Sequence, residues 1–329
     1  MRILIVKLSS LGDVVQTLPV LHDLSRPDDE IAIDWVVEEA FAPLLREVEG
    51  IERVVPIAER RWRHARFRAA TRRERQAFRA QLTLHAYDAV IDFQGLVKSA
   101  LVARAARLTR TGHRYTYANG SELCGYEWPV RFLVDRPVPM ERRVHAVRRY
   151  RLLAARALGY DIDASSPRVD WRFLRPAGAR REVLFAHGTT RADNEWPERR
   201  WAEIGRRLVA AGFGVVLPQS GPIEARRVQR IAAAIGPGAE ILQPMPLDAL
   251  ARRMAGCSGV IGVDSGLSHL AVALDLCHVQ IFSQPRAQRA GPVDCAYQLP
   301  VGGDSAPGAD AVWTAWRQAW SACPAAAGA

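Results

Sequence analysis

A chain of 329 residues, 49% hydrophobic and 24% charged, has enough apolar material for two packed domains of ordinary size. No stretch approaches the ~18 apolar residues of a membrane-spanning helix, and the apolar run after Met1 is too short for a signal peptide, so we expect a soluble cytoplasmic protein. The net charge of +10 favours a polyanionic partner, namely nucleic acid, an anionic membrane or a phosphorylated substrate.

The first half of the chain alternates short apolar runs with segments of helical period. The predicted strands are Arg2–Lys7, Ile31–Val37, Arg53–Ile57 and Tyr87–Phe93. The predicted helices are Val14–Leu24, Ala40–Val48, Leu96–Leu108 and Glu141–Leu158. This alternation is typical of a parallel sheet with helices on both of its faces.

A second series follows Asp161–Arg180, which we interpret as a linker because of its proline, glycine and serine residues. The predicted strands are Glu182–Ala186, Gly214–Leu217, Glu240–Leu242, Gly259–Val263 and, as the last, Val279–Phe282. The predicted helices are Pro197–Ala211, Ile223–Ile235, Leu247–Ala255, Gly266–Leu274 and Ala309–Trp320. The last helix carries three tryptophans on one face, which indicates a packing surface. Because such sheets bind ligands beyond the carboxyl ends of their strands, we expect a site in a cleft between two facing sheets.

Two strand ends of the first half carry residues suited to chemistry. In the segment Lys7-Leu8-Ser9-Ser10-Leu11-Gly12-Asp13, the carboxylate of Asp13 either caps the following helix or acts as a general base. The segment is not a GxGxxG motif, so a dinucleotide site is poorly supported. Lys98, which follows a second strand end, either pairs with an acidic acceptor or is an ordinary helix lysine; Lys7 and Lys98 are the only lysines of the chain.

Two strand ends of the second half suit a phosphate. Thr189 and Thr190 lie in a predicted strand–helix turn, where hydroxyl and backbone N–H groups can donate to phosphate. Gly266 begins a helix whose N-terminus suits a pyrophosphate, and Asp264 could accept hydrogen bonds from sugar hydroxyls. His269 is either a ligand of the same site, which we favour, or a helix histidine satisfied within the protein.

The segment Arg60–Arg79 holds nine arginines and a single acid. It is either a solvated helix face or a surface for a phosphate-rich acceptor or nucleic acid, and composition does not separate the last two. The five cysteines have no metal-type spacing, so we expect neither a zinc site nor a disulfide framework.

Five blocks, taken in chain order, resemble the lipopolysaccharide heptosyltransferases: KLSSLGDVVQTLP, ERRWRHARF, YDAVIDFQGLVKSAL, TTRADNEWPERRW and GVDSGLSHLAVAL. The first three resemble heptosyltransferase I in particular. The resemblance implies an α/β fold of GT-B type, two Rossmann-like domains facing each other across a cleft. Residues 1–165 would bind the acceptor and residues 166–329 the ADP-heptose, with the terminal helix 309–320 able to pack back on the first domain. The implied reaction is an inverting transfer of L-glycero-D-manno-heptose from ADP-heptose to Kdo2-lipid A, with no metal and no cofactor.

The resemblance also implies roles for individual residues, with Asp13 as the catalytic base. The donor would be bound by Thr189, Thr190, Arg191, Asn194, Glu224 at the ribose, Met245 at the adenine, Asp264, Ser265, Gly266 and His269. The acceptor would be bound by Ser10, Arg60, Arg61, Arg63 and Lys98, since arginine pairs well with phosphate and carboxylate groups. The family usually has a lysine that contacts donor phosphate where this chain has Asn194, and Arg191 is the candidate replacement.

Three other functions remain open. One is transfer of heptose to a different acceptor, because Tyr117–Trp128 does not resemble the acceptor-side loop of the family. Another is a nucleic-acid-binding protein, which would not need Asp13, Asp264 and His269 together; we expect no nucleic acid. The third is a nucleotide-sugar epimerase, which would consume the donor without an acceptor. Because the implied acceptor is a lipid and the protein is basic, we predict peripheral binding to the anionic inner face of the inner membrane.

Overall fold

Two six-stranded parallel sheets organise the chain in the computed structural model, which describes residues 1–25, 30–65, 68–121, 125–162, 180–324 and 326. The sheets belong to two compact units, Met1–Val169 and Asp170–Ala329. Most of the predicted linker, with the predicted boundary at 165/166, lies outside the described residues. Within the described part of the chain, no helix is long and apolar enough to cross a membrane.

The first unit has the strand order β3-β2-β1-β4-β5-β6. Its strands are β1 (Arg2–Val6), β2 (Ala32–Glu38), β3 (Arg53–Ile57), β4 (Ala86–Asp92), β5 (Arg107–Tyr117) and β6 (Arg136–Val138). Its helices are α1 (Leu11–Thr17), α2 (Pro19–Leu24), α3 (Ala42–Leu45), α4 (Glu59–His64), α5 (Ala69–Leu82), α6 (Val97–Ala105) and α7 (Ala146–Leu158). This order reverses between β1 and β4, the point at which Rossmann-type sheets bind their ligands.

The central strands of the first sheet are continuous apolar runs because helices cover both faces. Ile3, Leu4 and Val6 of β1 are completely buried. The predicted helix Val14–Leu24 is in fact two helices, since Pro19 cannot continue the hydrogen bonding of α1 and instead begins α2.

The second unit has the order β12-β11-β10-β7-β8-β9, which reverses in the same way between β7 and β10. Its strands are β7 (Arg180–Ala186), β8 (Gly214–Leu217), β9 (Ala239–Ile241), β10 (Cys257–Val263), β11 (Cys277–Phe282) and β12 (Gln298–Gly302). Its helices are α8 (Glu198–Ala210), α9 (Gly221–Ile235), α10 (Leu247–Ala255), α11 (Gly266–Ala273), α12 (Ala287–Ala290) and α13 (Ala309–Ala322).

Three strands were absent from the prediction: β5, β6 and β12. The prediction that Val279–Phe282 is the last strand is therefore wrong, because β12 pairs with it along the outer edge of the sheet. Both β6 and β12 are edge strands that contain a proline, which is tolerated only where one side of the strand is unpaired. β5 is mostly polar, and its pairing with β4 rather than an apolar pattern defines it.

The C-terminal helix α13 packs within the second unit. Trp316 is buried, and its ring stacks on Trp320 with the centroids 5.9 Å apart. Phe213 meets both rings edge-on, at 5.8 Å and 5.2 Å. The predicted packing surface is thus confirmed, while a contact of this helix with the first domain remains a prediction.

Candidate active site

The turns that follow β1 and β4 meet where the order of the first sheet reverses. Gln94 joins them, because its Oε1 accepts hydrogen bonds from the backbone N–H groups of Leu8 (2.9 Å) and Ser9 (3.1 Å). The buried carboxylate of Asp92 accepts hydrogen bonds from the backbone N–H groups of Gln94 (2.9 Å) and Gly95 (3.3 Å). Burial nevertheless raises the pKa of Asp92 to about 6. These bonds hold the two turns in one arrangement.

Asp13 lies beside these turns, in the first turn of α1. Its Oδ2 accepts hydrogen bonds from the backbone N–H (3.0 Å) and the hydroxyl (2.8 Å) of Ser10. Its Oδ1 accepts one from the hydroxyl of Tyr150 on α7 (2.7 Å) and lies 3.9 Å from Nζ of Lys7. The side chain is still 30% exposed, so a ligand can reach a carboxylate whose position is fixed on several sides.

The same neighbours decide the charge of Asp13. Burial by itself raises the pKa of this carboxyl, but the Lys7 ammonium and the hydrogen bonds from Tyr150 and Ser10 outweigh it and hold the pKa well below its usual range. Burial and the charge of Asp13 raise the pKa of Tyr150, so its hydroxyl stays protonated. Lys7 is buried and donates to the carbonyl of Phe93 and the hydroxyl of Tyr150, both at 3.2 Å. At neutral pH the arrangement presents an ionised, oriented carboxylate.

The predicted arginines of the acceptor site lie on α4, which follows β3 at the same edge of the sheet. Arg61 is bound by Glu39 and Glu74 at 2.8–3.1 Å, and these hydrogen bonds raise its pKa. Arg60 and Arg63 are exposed. The helix therefore offers two arginines to a ligand and holds the third in ion pairs. Within the arginine-rich run, residues 66–67 lie outside the described residues.

Lys98 lies near the start of α6. It lines a groove of about 370 Å³ together with Trp62, Phe78, Arg75 and Arg79. The groove thus combines an apolar floor with three cationic side chains and one carboxylate, that of Glu59. Its net positive charge suits an amphipathic anion.

Strands β7 and β10 approach each other closely where the order of the second sheet reverses. A Cβ atom at Gly262 of β10 would lie 2.7 Å from Cβ of Ala186 on β7 and 2.3 Å from Oγ of Ser268. Ser268 is buried, and its hydroxyl donates to the carbonyl of Val263 (2.6 Å). Only glycine fits at this position, which brings the two strand ends together.

Asp264 is the centre of a polar cluster at this point. Its carboxylate lies 3.5 Å from Nε2 of His269 and accepts hydrogen bonds from Asn194 (3.3 Å) and Gln280 (3.4 Å). Burial raises the pKa of Asp264, but His269 and nearby arginines outweigh it and lower the pKa below its usual value. The structure thus brings together three predicted donor residues, Asn194, Asp264 and His269. Ser265 and Gly266 follow directly, and Gly266 begins α11.

A second group of predicted donor residues lies at the turns after β7 and β8. A Cβ atom at Gly188 would lie only 2.5 Å from Oε1 of Glu224, so this carboxylate rests against the turn that carries Thr189 and Thr190. Oε2 of Glu224 accepts hydrogen bonds from the N–H (2.6 Å) and hydroxyl (2.8 Å) of Ser220.

Arg191 and Met245, the two remaining predicted donor residues, lie outside both of these groups. Arg191 is exposed and pairs with Asp193, with the shortest N–O distance 2.9 Å. Met245 is half-buried in the segment between β9 and α10, at the same edge of the sheet as the other donor residues.

Sequence reasoning missed Tyr150 and Gln94 in the first unit. In the second unit it missed Arg286, whose Nη1 donates to Oδ1 of Asn194 (3.1 Å). Tyr150 lies 137 residues from Asp13 in the middle of a predicted helix, where no local signal distinguishes it. Lys7, in contrast, could be noticed in the sequence, because it is one of only two lysines in a chain that otherwise uses arginine.

Metal ligands were not expected. Among the described residues, no group of three or more His, Cys, Asp or Glu side chains could hold a metal ion. The four described cysteines are thiols that form no disulfide bond, three of them are buried, and Cys124 lies outside the described residues. The expectation that the reaction uses neither metal nor cofactor remains a prediction.

Comparison with known proteins agrees with the resemblance in the sequence. Residues 75–302 match the model of glycosyltransferase family 9 (heptosyltransferase). The chain is 41% identical over 287 residues to lipopolysaccharide heptosyltransferase 1 of Escherichia coli (strain K12), which covers 86% of this chain and 88% of that protein.

Two solved structures of the E. coli heptosyltransferase WaaC are similar over 95% of this chain and 98% of theirs. The complex with ADP gives a TM-score of 0.83 at 36% identity, and the complex with ADP-2-deoxy-2-fluoro heptose gives 0.80 at 37%. These matches confirm the predicted α/β fold of GT-B type with two Rossmann-like domains. On the family match and the identity to its curated members, the chain belongs to glycosyltransferase family 9, the heptosyltransferases.

Proposed function

We propose that this enzyme transfers L-glycero-D-manno-heptose from ADP-heptose to Kdo2-lipid A during assembly of the lipopolysaccharide inner core, with inversion at the anomeric carbon and without a metal. The observation that carries the proposal is Asp13, an ionised carboxylate that stays reachable although Lys7, Tyr150 and Ser10 hold it in place. The E. coli relative is named for lipopolysaccharide heptosyl transfer, and one of the similar structures contains an ADP-heptose analogue.

In this mechanism Asp13 is the general base. It removes the proton from the acceptor hydroxyl while that oxygen attacks the anomeric carbon of heptose. The bond between this carbon and the diphosphate oxygen breaks on the opposite face, and its electron pair leaves with ADP. The low pKa of Asp13 implies that the proton moves late, once the new bond has made the hydroxyl strongly acidic.

The second unit would bind the donor. The N-terminus of α11, with Ser265 and Gly266, directs free backbone N–H groups and a partial positive charge toward a diphosphate. Asp264 and His269 would contact the heptose, and the Thr189–Thr190 turn would donate to phosphate. Glu224 would accept from the ribose hydroxyls and Met245 would contact the adenine.

The first unit would bind the acceptor. Arg60 and Arg63 are exposed and Lys98 lines the groove beside α5, so these cations are open to the phosphate and carboxylate groups of Kdo2-lipid A. Ser10 would hold both Asp13 and the acceptor. Arg61 would contribute only by exchanging one of its two carboxylate partners for the ligand.

Release of ADP from ADP-heptose, measured with and without Kdo2-lipid A, tests the proposal. We expect release that depends on the acceptor and equals the amount of heptosylated lipid detected by mass spectrometry. Lipid A without Kdo is the control acceptor and should give no release. Donor consumption without any acceptor would instead indicate an epimerase or hydrolase. Binding of ADP-heptose without turnover would indicate a different acceptor.

We further propose that the protein works in the cytoplasm, bound to the inner face of the inner membrane. Trp128 and Phe132 are 67% and 65% exposed on one 3₁₀ turn, with their rings edge-to-face at 6.1 Å. Arg131 lies over the ring of Phe132, 4.7 Å from its centroid. Exposed aromatic rings beside a cation suit the interface of an anionic bilayer. The turn also packs beside α6, the helix that carries Lys98.

Flotation with phosphatidylglycerol vesicles tests this surface. The double substitution Trp128→Ala and Phe132→Ala should weaken binding on the order of tenfold, because it removes two partly inserted aromatic side chains. Ile223→Ala, at an even more exposed apolar residue of the second unit (79%), is the matched control and should bind as the unmodified protein does. Failure of the unmodified protein to bind anionic vesicles at low salt would contradict the proposed membrane association.

A further inference from the structure

Several buried polar atoms lie without a partner around the ends of β10 and β11. Among the described residues, no hydrogen bond reaches Oγ of Ser265, Oε1 of Gln280, Oγ of Ser283 or Nε of Arg289. Ser265 follows Asp264 directly, Gln280 donates to Asp264, and the charge of Arg289 acts on Asp264. Buried polar atoms are normally paired, so a group of them at one strand edge indicates a polar ligand with several acceptor and donor atoms.

Arg286, between β11 and α12, reaches into the same place. Its Nη1 donates to Oδ1 of Asn194 (3.1 Å) and its Nη2 donates to Asp193 (3.0 Å). A guanidinium has five N–H donors, so these two hydrogen bonds do not use all of them. The side chain is only 14% exposed, and its charge lowers the pKa of Asp264, as that of Arg289 does. Arg286 is therefore an oriented and partly buried cation beside the donor residues.

Arg191, the replacement expected from the sequence, has a different environment. Its side chain is 57% exposed, and both Nε and Nη2 are engaged by the carboxylate of Asp193, at 3.0 and 2.9 Å. Arg286, in contrast, contacts the amide of Asn194 itself. A lysine at position 194 would bring a second cation against the Arg286 guanidinium. Asparagine at this position and arginine at 286 are thus compatible with each other, whereas lysine and arginine would repel.

We propose that Arg286, assisted by Arg289, binds the diphosphate of the nucleotide-sugar donor and stabilises it as it leaves, the task for which the family usually has a lysine at position 194. This inference rests on the proposed function. When the glycosidic bond breaks, its electron pair stays on the diphosphate oxygen, which gains one negative charge. A guanidinium can meet two phosphate oxygens at once, and the N-terminus of α11 adds a partial positive charge on the same ligand.

Binding of ADP alone, followed by isothermal titration calorimetry, is the first test because it requires neither an acceptor nor turnover. Arg286→Met should weaken ADP binding by about tenfold to a hundredfold, the usual effect of losing hydrogen bonds between charged groups. Arg199→Met is the matched control, since this arginine is exposed on α8 and is not among the residues assigned to the donor, and it should bind ADP normally. The unfolding midpoint of each variant establishes that it is folded.

Moving the positive charge from position 286 to position 194 tests whether ADP binding needs a cation at this place in the site. In the Arg286→Met background, Asn194→Lys should restore ADP binding to within a few-fold of the original, while Asn194→Lys alone should weaken it because two cations then meet. In the transfer assay, Arg286→Met should lower kcat as well, and the double variant should regain it.

If Arg286→Met binds ADP as tightly as the Arg199→Met control, the inference is overturned while the proposed function stands. If the unmodified protein does not bind ADP at all, the proposed function fails, and this inference fails with it.

Discussion

Replacing Asp13 by asparagine is expected to lower kcat for heptosyl transfer by about 10²–10⁴-fold, the usual contribution of a positioned general base. The amide keeps the size of the carboxylate but cannot accept the proton of the acceptor hydroxyl. ADP binding should not change, because the donor is assigned to the other unit of the chain. The rate of ADP release at saturating substrates and the calorimetric affinity for ADP are the two measurements.

Glu49→Gln is the control for this substitution, since it removes an exposed carboxylate of the first unit that lies outside the site. It should retain the full rate. An Asp13→Asn enzyme that turns over as fast as the Glu49→Gln enzyme would show that another group accepts the proton.

The pH dependence provides a second check on Asp13. A general base works when it is unprotonated, so activity falls on the acid side as pH drops through its pKa. Lys7 is the strongest influence that lowers the pKa of Asp13, and Lys7→Met should therefore move the acid limb of kcat/KM to higher pH. Lys98→Met, which removes the only other lysine, should raise the KM for the acceptor without moving that limb.

Replacing Asp23 by alanine is expected to destabilise the first unit by about 3–5 kcal/mol, the usual cost of leaving one member of a buried ion pair without the other. Asp23 on α2 and Arg151 on α7 form a bidentate pair at 2.6 and 2.7 Å, and their side chains are only 5% and 4% exposed. The protection of β1 and β4 amides against hydrogen exchange measures the loss in this unit alone.

The same substitution should also slow catalysis, because Arg151 is the neighbour of Tyr150 and the ion pair fixes α7 against α2. A shift of α7 would move the Tyr150 hydroxyl away from Asp13.

Asp310→Ala is the matched control for the loss of stability: its pair with Arg207 has a similar distance, 2.7 Å, but Asp310 is 90% exposed. Exposed pairs contribute about 0–1 kcal/mol, so this variant should lose little. Equal losses of stability in the Asp23→Ala and Asp310→Ala variants would contradict the role given to burial of the ion pair.

Local sequence patterns predicted the repeated βα units and the segments that carry chemistry. Apolar runs such as Ile3–Val6 are buried on both faces, and such runs are readable without knowledge of their neighbours. Because parallel strands end at one edge, the segments around Asp13, Lys98, Thr189 and Asp264 could be placed at ligand-binding edges before the structure was known. The resemblance to the heptosyltransferases added the donor and acceptor classes to these positions.

Strands β6 and β12 and the partners of the site residues were decided by the tertiary structure. Edge strands that contain proline have no clear apolar pattern, since pairing with a neighbour rather than their own composition defines them. The contact of Tyr150 with Asp13 spans 137 residues, and that of Arg286 with Asn194 spans 92. The sequence by itself determined which groups can react or bind. Only the packing of distant helices and turns decided which of them share a site, because hydrogen bonds and charges act over a few ångströms in space and not along the chain.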